Sequence, residues 1–244
     1  MRTEAVGKSF GKFKALTAVS ASFPKGALTS IIGPNGAGKS TYFNLLSGAF
    51  PPTTGRISFE GHDITGTAQH RFARMGIAKS FQITTVFPRL STLENVRVAL
   101  QALVSRFDIW RRRSQLPGLV EQAGELLNTV GLWPARDRLA GTLAHGEQRA
   151  LEIAMALASR PRLLLLDEPT AGMSPEETRA MMELIVRLAR DRTVILVEHK
   201  MKLVMNISDR LLVLHHGELL AEGRPDEIRA DETVRRVYLG QRQH

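Results

Sequence analysis

Gly33-Pro34-Asn35-Gly36-Ala37-Gly38-Lys39-Ser40-Thr41 decides the reading of this chain. The strand pattern Leu28–Ile32 precedes it and a helical pattern follows, which is the setting of a phosphate-binding loop. Glycines let the backbone bend tightly around an anion, and the loop N–H groups and the helix start then face the phosphates. Lys39 supplies a point charge at the β and γ phosphates, and the Ser40 hydroxyl is placed for Mg2+.

Downstream, Leu163-Leu164-Leu165-Leu166-Asp167-Glu168-Pro169 reads as a buried strand with two carboxylates at its C-terminal end. Ligands of open α/β sheets bind at that edge. Asp167 is expected to hold the Mg2+ and Glu168 to polarise an attacking water. Short branched runs bounded by Gly, Pro or Asp add strand patterns at Arg56–Glu60, Ile77–Phe81, Thr193–Val197 and Leu211–Leu214. Ser174, Pro175 and Glu177 form a capping box ahead of Met181, Leu184, Ile185 and Leu188. From Ser91 to Ser159 the pattern is helical without a convincing strand. Ser91 and Glu94 open one helix, Leu119–Val130 gives a second stripe and Leu151–Ala158 a third. A helical block therefore interrupts an α/β pattern.

Between that block and the carboxylates lies Leu143-Ala144-His145-Gly146-Glu147. Here the chain resembles the ABC ATPase family, whose signature at this place usually reads Leu-Ser-Gly-Gly-Gln. Ala144 replaces the serine and His145 a glycine, so the serine hydroxyl bond to a γ-phosphate is lost, while backbone N–H groups near Gly146 remain available. His145 is read as a surface side chain rather than a phosphate donor. The resemblance makes Gln82 the residue that senses Mg2+, His199 the switch histidine, and Ala171–Pro175 the D-loop without its usual aspartate. Lys200 stands where the family commonly has aspartate. Phe10, in preference to Phe13, becomes the aromatic that stacks on adenine.

The resemblance implies a P-loop NTPase (RecA-like) α/β core with an N-terminal antiparallel β subdomain and an inserted helical subdomain. The expected division is 1–82 and 160–244 for the core and 83–159 for the helical block. It also implies two cassettes meeting head to tail, each ATP held between one chain's phosphate loop and the other's signature. Phe81–Pro88, Leu143–Glu147, Glu198–Met205 and Tyr238-Leu239-Gly240 are similar to branched-chain amino acid importer cassettes of the LivG type. Urea importers and lipopolysaccharide exporters share parts of that pattern. Transmembrane permease subunits, a second cassette and a periplasmic solute-binding protein are the implied partners, at the cytoplasmic face of the membrane. Val86, Phe87 and Leu90 are either contacts for a permease or core.

Bulk composition agrees with this class. The 244 residues are 43% hydrophobic, enough for a sizeable core. There is no cysteine, which removes disulfides and thiolate metal sites. Met1–Phe10 lacks the apolar core of a signal peptide, and no apolar run approaches the roughly 20 residues of a membrane span. The net charge of +9 suits anionic partners. The basic residues are scattered, so nucleic acid is not expected; the Arg111–Arg113 run reads as a solvated face. A soluble ABC ATPase acting on ribosomes or nucleic acid is the rival class. Such chains generally join two cassettes, whereas this one has a single phosphate loop.

Overall fold

The computed structural model describes residues 1–80, 86–104 and 118–239, with the backbone alone for Val104, Tyr238 and Leu239. Its centre is a six-stranded sheet of order β10-β9-β3-β8-β7-β6. The strands are β3 (Leu28–Ile32), β6 (Ile77–Lys79), β7 (Leu163–Asp167), β8 (Thr193–Val197), β9 (Arg210–His215) and β10 (Glu218–Gly223). All neighbours are parallel except the β9–β10 hairpin. Every residue of β3, β7 and β8 is buried. A parallel sheet covered on both faces favours near-continuous apolar runs, as in Leu163–Leu166 and Val194–Val197, while β3 also buries the hydroxyls of Thr29 and Ser30.

Period-two alternation divides the strand side chains between two cores. Leu164, Leu166, Val194, Leu196, Leu211 and Val213 pack with the helices α2 (Thr92–Val104), α3 (Leu119–Thr129), α4 (His145–Leu157) and α5 (Pro175–Ala189). Leu163, Leu165, Ile195, Val197, Leu212 and Leu214 pack with α1 (Lys39–Leu46) and a second, antiparallel sheet. That sheet has the order β2-β1-β4-β5, from β1 (Arg2–Phe10), β2 (Phe13–Ser22), β4 (Thr54–Phe59) and β5 (His62–Asp63). Each fully buried Leu, Ile or Val contributes about 1.5–3 kcal/mol. Exposed ion pairs such as Arg2–Glu4 contribute about 0–1 kcal/mol, so the two cores decide stability. Short helices α6 (Met201–Ile207), α7 (Pro225–Ala230) and α8 (Glu232–Leu239) complete the chain.

The α/β core, the N-terminal antiparallel sheet and the helical insertion are thus all present. Among the described residues between Ser91 and Ser159, the strand-like pairing is a single isolated Ser91–Leu139 bridge. Two local expectations change. Glu60 ends no strand: it takes a left-handed turn (φ 51°) just after β4. At the start of α2 the Ser91 hydroxyl accepts from the Glu94 N–H at 3.1 Å, while the Glu94 carboxylate accepts from Arg97 at 2.8 Å. Around α5 the capping box closes in both directions. Glu177 N–H donates to Ser174 Oγ at 3.2 Å, and Ser174 N–H donates to Glu177 Oε2 at 2.9 Å. Ser174→Ala is therefore expected to cost about 1 kcal/mol, read as a lowered urea midpoint with unchanged slope.

Candidate active site

Three adjacent strands deliver their C-terminal ends to one edge of the parallel sheet. β3 runs into Gly33–Thr41, β7 into Asp167-Glu168 and β8 into Glu198-His199. The register pairs both Ile31 and Asp167 with Val197, so the three exits leave the sheet at nearly one level. Buried strands end in polar side chains here because this edge is where the apolar cover stops.

The loop after β3 is closely confined. A Cβ on Gly33 would meet the Leu214 carbonyl oxygen at 2.3 Å. Gly38 has φ 96°, and a Cβ there would lie 2.7 Å from Leu16 Cδ2. Gly217 N–H donates to the Ala37 carbonyl at 3.1 Å, tying the loop to the β9–β10 turn. Lys39 is buried, and its Nζ donates to the carbonyls of Gly33 at 2.8 Å and Pro34 at 2.9 Å. Burial presses the Lys39 pKa down, while Glu168 and Asp167 push it back up. Asn35, Gly36 and Ser40 are exposed at the loop mouth, with Pro34 and Thr41 partly covered. The first turn of α1 carries no acidic residue, so its positive end remains open to an anion.

The carboxylates face this cluster. Asp167 is buried, and desolvation raises its pKa against the lowering influence of Lys79. Lys79, from β6, donates to Asn44 Oδ1 at 2.9 Å and lies over the Phe43 ring. Glu168 sits in left-handed backbone (φ 44°), its N–H bound to the Val197 carbonyl at 2.9 Å. A non-glycine residue in that region costs about 1–3 kcal/mol, and such strain clusters at functional sites. The turn after it is held by Glu198, which is fully buried. Glu198 Oε1 accepts from Thr170 Oγ1 at 2.5 Å and Thr170 N–H at 3.2 Å, and Oε2 accepts from His199 N–H at 3.2 Å. The His199 side chain is half exposed above it. Lys200 donates to the Thr170 carbonyl at 3.3 Å, so the residue that departs from the aspartate pattern braces the same turn. The sequence reading gave no role to Glu198 or Lys79; their signal was a charged side chain at the end of an apolar strand.

Phe10 and Phe13 face each other at the β1–β2 turn. Phe10 is half exposed, stands edge-on to Phe50 at 5.6 Å and lies under Lys8. Phe13 is 69% exposed, so core packing does not explain it. Phe87 and Leu90 are exposed and Val86 packs partly against the core. Gln82, Thr84 and Arg111–Arg113 lie outside the described residues.

Leu143–Glu147 forms the entry to α4. Leu143 is buried and His145 exposed. Ala144 has no side-chain acceptor, so only half of a capping box forms, its N–H donating to Glu147 Oε2 at 2.8 Å. The Gly146 N–H donates to Glu177 Oε1 at 3.1 Å. Hydrogen bonds from Ser174 and Gly146, with His145 nearby, hold the Glu177 pKa below the usual carboxylate range.

Comparison with known proteins shows the family and the fold. A family model described as ABC transporter matches residues 16–171, more than half of the chain. A second, described as branched-chain amino acid ATP-binding cassette transporter, matches residues 218–244. The chain is 41% identical over 240 residues to the high-affinity branched-chain amino acid transport ATP-binding protein BraF of Pseudomonas aeruginosa, covering 95% of this chain and 94% of the relative. It is 38% identical over 243 residues to LivG of Escherichia coli, with the same coverage. A crystal structure of a nucleotide-free ATP-binding cassette from an ABC transporter superposes with TM-score 0.84 at 33% identity over 97% of both chains. A dimeric cassette in a post-hydrolysis state, bound to ADP and Pi, superposes with TM-score 0.76 at 26% identity over 92% of this chain and 98% of the other.

The steric closeness around the loop can be tested without ligand. Gly33→Ala is expected to lower stability by about 1–3 kcal/mol, the usual cost of overpacking. A urea midpoint equal to that of the parent would contradict the close approach of Leu214.

Proposed function

The chain belongs to the ABC transporter ATP-binding family and hydrolyses ATP, and from that premise we propose that it powers the import of branched-chain or other small amino acids through permease subunits that bind its surface. The observation that carries the nucleotide chemistry is the delivery of the phosphate loop, Asp167-Glu168 and Glu198-His199 to one edge by β3, β7 and β8. The amino acid class is supported by the relatives matched along almost the whole chain and by the second family model at its C-terminal end.

Gly33–Thr41 wrap the triphosphate, with Lys39 leaving the Gly33 and Pro34 carbonyls for the β and γ phosphates. Phe10 stacks on the base, a contact worth about 1–3 kcal/mol for any base. The donors near the γ-phosphate are hard oxygens, the exposed Ser40 hydroxyl and the Asp167 carboxylate, which suits Mg2+ bound partly through the phosphates. Gln82 completes that set. Held there, Mg2+ would supply charge neutralisation at the phosphate oxygens. Asp167, whose pKa burial raises, would be favoured in its ionised form by a cation held beside it. Glu168 orients the attacking water and takes its proton, and its strained backbone aims the carboxylate away from the strand. His199, set on Glu198, faces the γ-phosphate.

A second cassette supplies the other half of each site. Leu143–Glu147, with the start of α4, caps the nucleotide held by the partner's phosphate loop. Reversing a 1:99 equilibrium between open and closed pairs requires about 5.5 kcal/mol of differential binding, which two ATP molecules held between the chains supply. Hydrolysis removes the γ-phosphate bridge and lets the pair open. The helical block, 83–159, carries this motion to the permease, with the exposed Phe87 and Leu90 as contacts. The working unit pairs this chain with a related cassette at the cytoplasmic face of the membrane and receives solute from a binding protein. No helix among the described residues is long and apolar enough to cross a membrane.

Glu168→Gln should bind ATP as tightly as the parent but hydrolyse it about 10²–10⁴-fold more slowly, and accumulate as an ATP-held pair in sedimentation. Normal turnover would remove Glu168 from the mechanism. In cells carrying the complete transporter, Lys39→Ala should abolish uptake of labelled leucine, isoleucine and valine. Unchanged uptake of all three, with the permease co-purifying, would overturn the amino acid assignment.

A further inference from the structure

We infer that a cavity at the opposite edge of the parallel sheet from the phosphate loop is a second anion site, built for a soluble, phosphate-bearing small molecule. The cavity measures about 550 Å³ and lies where β7 and β8 begin. That volume falls within the roughly 300–1,000 Å³ of small-molecule sites. Lys25, Arg160, Arg162, Arg190 and Arg192 line it, with Asp191 as the acidic lining residue.

Two of the five cations are engaged. Arg162 pairs with Glu60 and donates to the Met75 carbonyl at 3.0 Å. Arg192 donates to the Leu188 carbonyl at 3.1 Å and to Asp191 at 3.2 Å. Lys25, Arg160 and Arg190 have no side-chain partner among the described residues.

Cations near helix C-termini have an ordinary explanation in the helix dipole, and α3, α4 and α5 all end at this cavity. Each helix end carries about half a negative charge, roughly one and a half in all. Three unengaged cations exceed that by about one and a half charges. Lys25, Arg160 and Arg190 are solvent-exposed, and the lining keeps a net positive charge beyond what the helix ends offset. Arg160 adds a second argument. It closes α4 in left-handed backbone (φ 47°), its N–H bound to the Leu157 carbonyl at 2.8 Å, a position that glycine normally takes. The turn puts the Arg160 side chain on the cavity lining at the end of α4.

Arginine's planar fork matches phosphate oxygens two at a time, and lysine adds a mobile point charge. Leu157 and the buried Pro161 give an apolar wall for the organic part of such a molecule. A concave site favours a small molecule over a membrane surface.

Inorganic pyrophosphate is the probe, titrated calorimetrically into the full chain carrying Lys39→Ala so that the phosphate loop contributes least. Saturable binding is expected, weakened tenfold or more by Arg160→Ala with Arg190→Ala. Lys25→Glu, in the turn before β3 and away from the helix ends, is expected to weaken it equally should the double variant fold poorly. The same changes in the otherwise native chain should leave basal ATP hydrolysis unaltered, separating this site from the catalytic one. Three results would overturn the inference: no saturable binding, a loss below tenfold in both variants, or loss of binding to phosphatidylglycerol vesicles while pyrophosphate affinity is untouched.

Discussion

Water is kept from both faces of the β3–β8–β7 ribbon, and the placement of the chemistry follows from that exclusion. Leu163 to Leu166 are wholly inaccessible, as are Val194 to Val197. A charged side chain along such strands would suffer a costly desolvation; the polar ones that β3 does bury, Thr29 and Ser30, are neutral hydroxyls, and Ser30 bonds Ser208 at 2.6 Å. Only the strand ends can carry charge, and the parallel arrangement gathers like ends together. A phosphate loop, a carboxylate pair and a histidine far apart in the chain therefore meet at one edge.

At that edge the charges restrain one another. Burial disfavours the ionised form of Lys39, Lys79 and Asp167, while each has opposite charge nearby that favours it. Glu198 occupies the most buried position and is satisfied by Thr170 and by the His199 backbone. The result is a site whose groups are held before nucleotide arrives. The Lys39 ammonium rests on two loop carbonyls, so its transfer to phosphate oxygens exchanges one set of acceptors for another.

Legibility in the sequence follows burial. β3 and β8 coincide with the expected runs because every residue in them is apolar or small and covered on both sides. β1 and β2 escape a period-two reading because bulges at Ala5 (φ 45°) and Ala18 (φ 48°) shift the alternation partway along each strand. β10 escapes because it is an edge strand whose side chains are only partly covered. The phosphate loop and the carboxylate pair are readable because their chemistry demands a fixed local string. Glu198 and Lys79 were less readable, since their roles come from neighbours that only the folded sheet supplies. His199, by itself an ordinary residue, gains its place from being next to Glu198.

The carboxylate of Glu177 joins two helix starts, accepting from Ser174 at the head of α5 and from Gly146 at the head of α4. In the proposed pair those two helix starts answer to different fuel molecules. The α4 start leans on the nucleotide of the neighbouring chain, and the turn ahead of α5 follows this chain's own Glu168. A phosphate that claims the Gly146 N–H must take it from Glu177 Oε1, while Ser174 is held by the other oxygen, Oε2. One side chain is thereby shared between the entries to both helices, so the two starts are held at a fixed spacing.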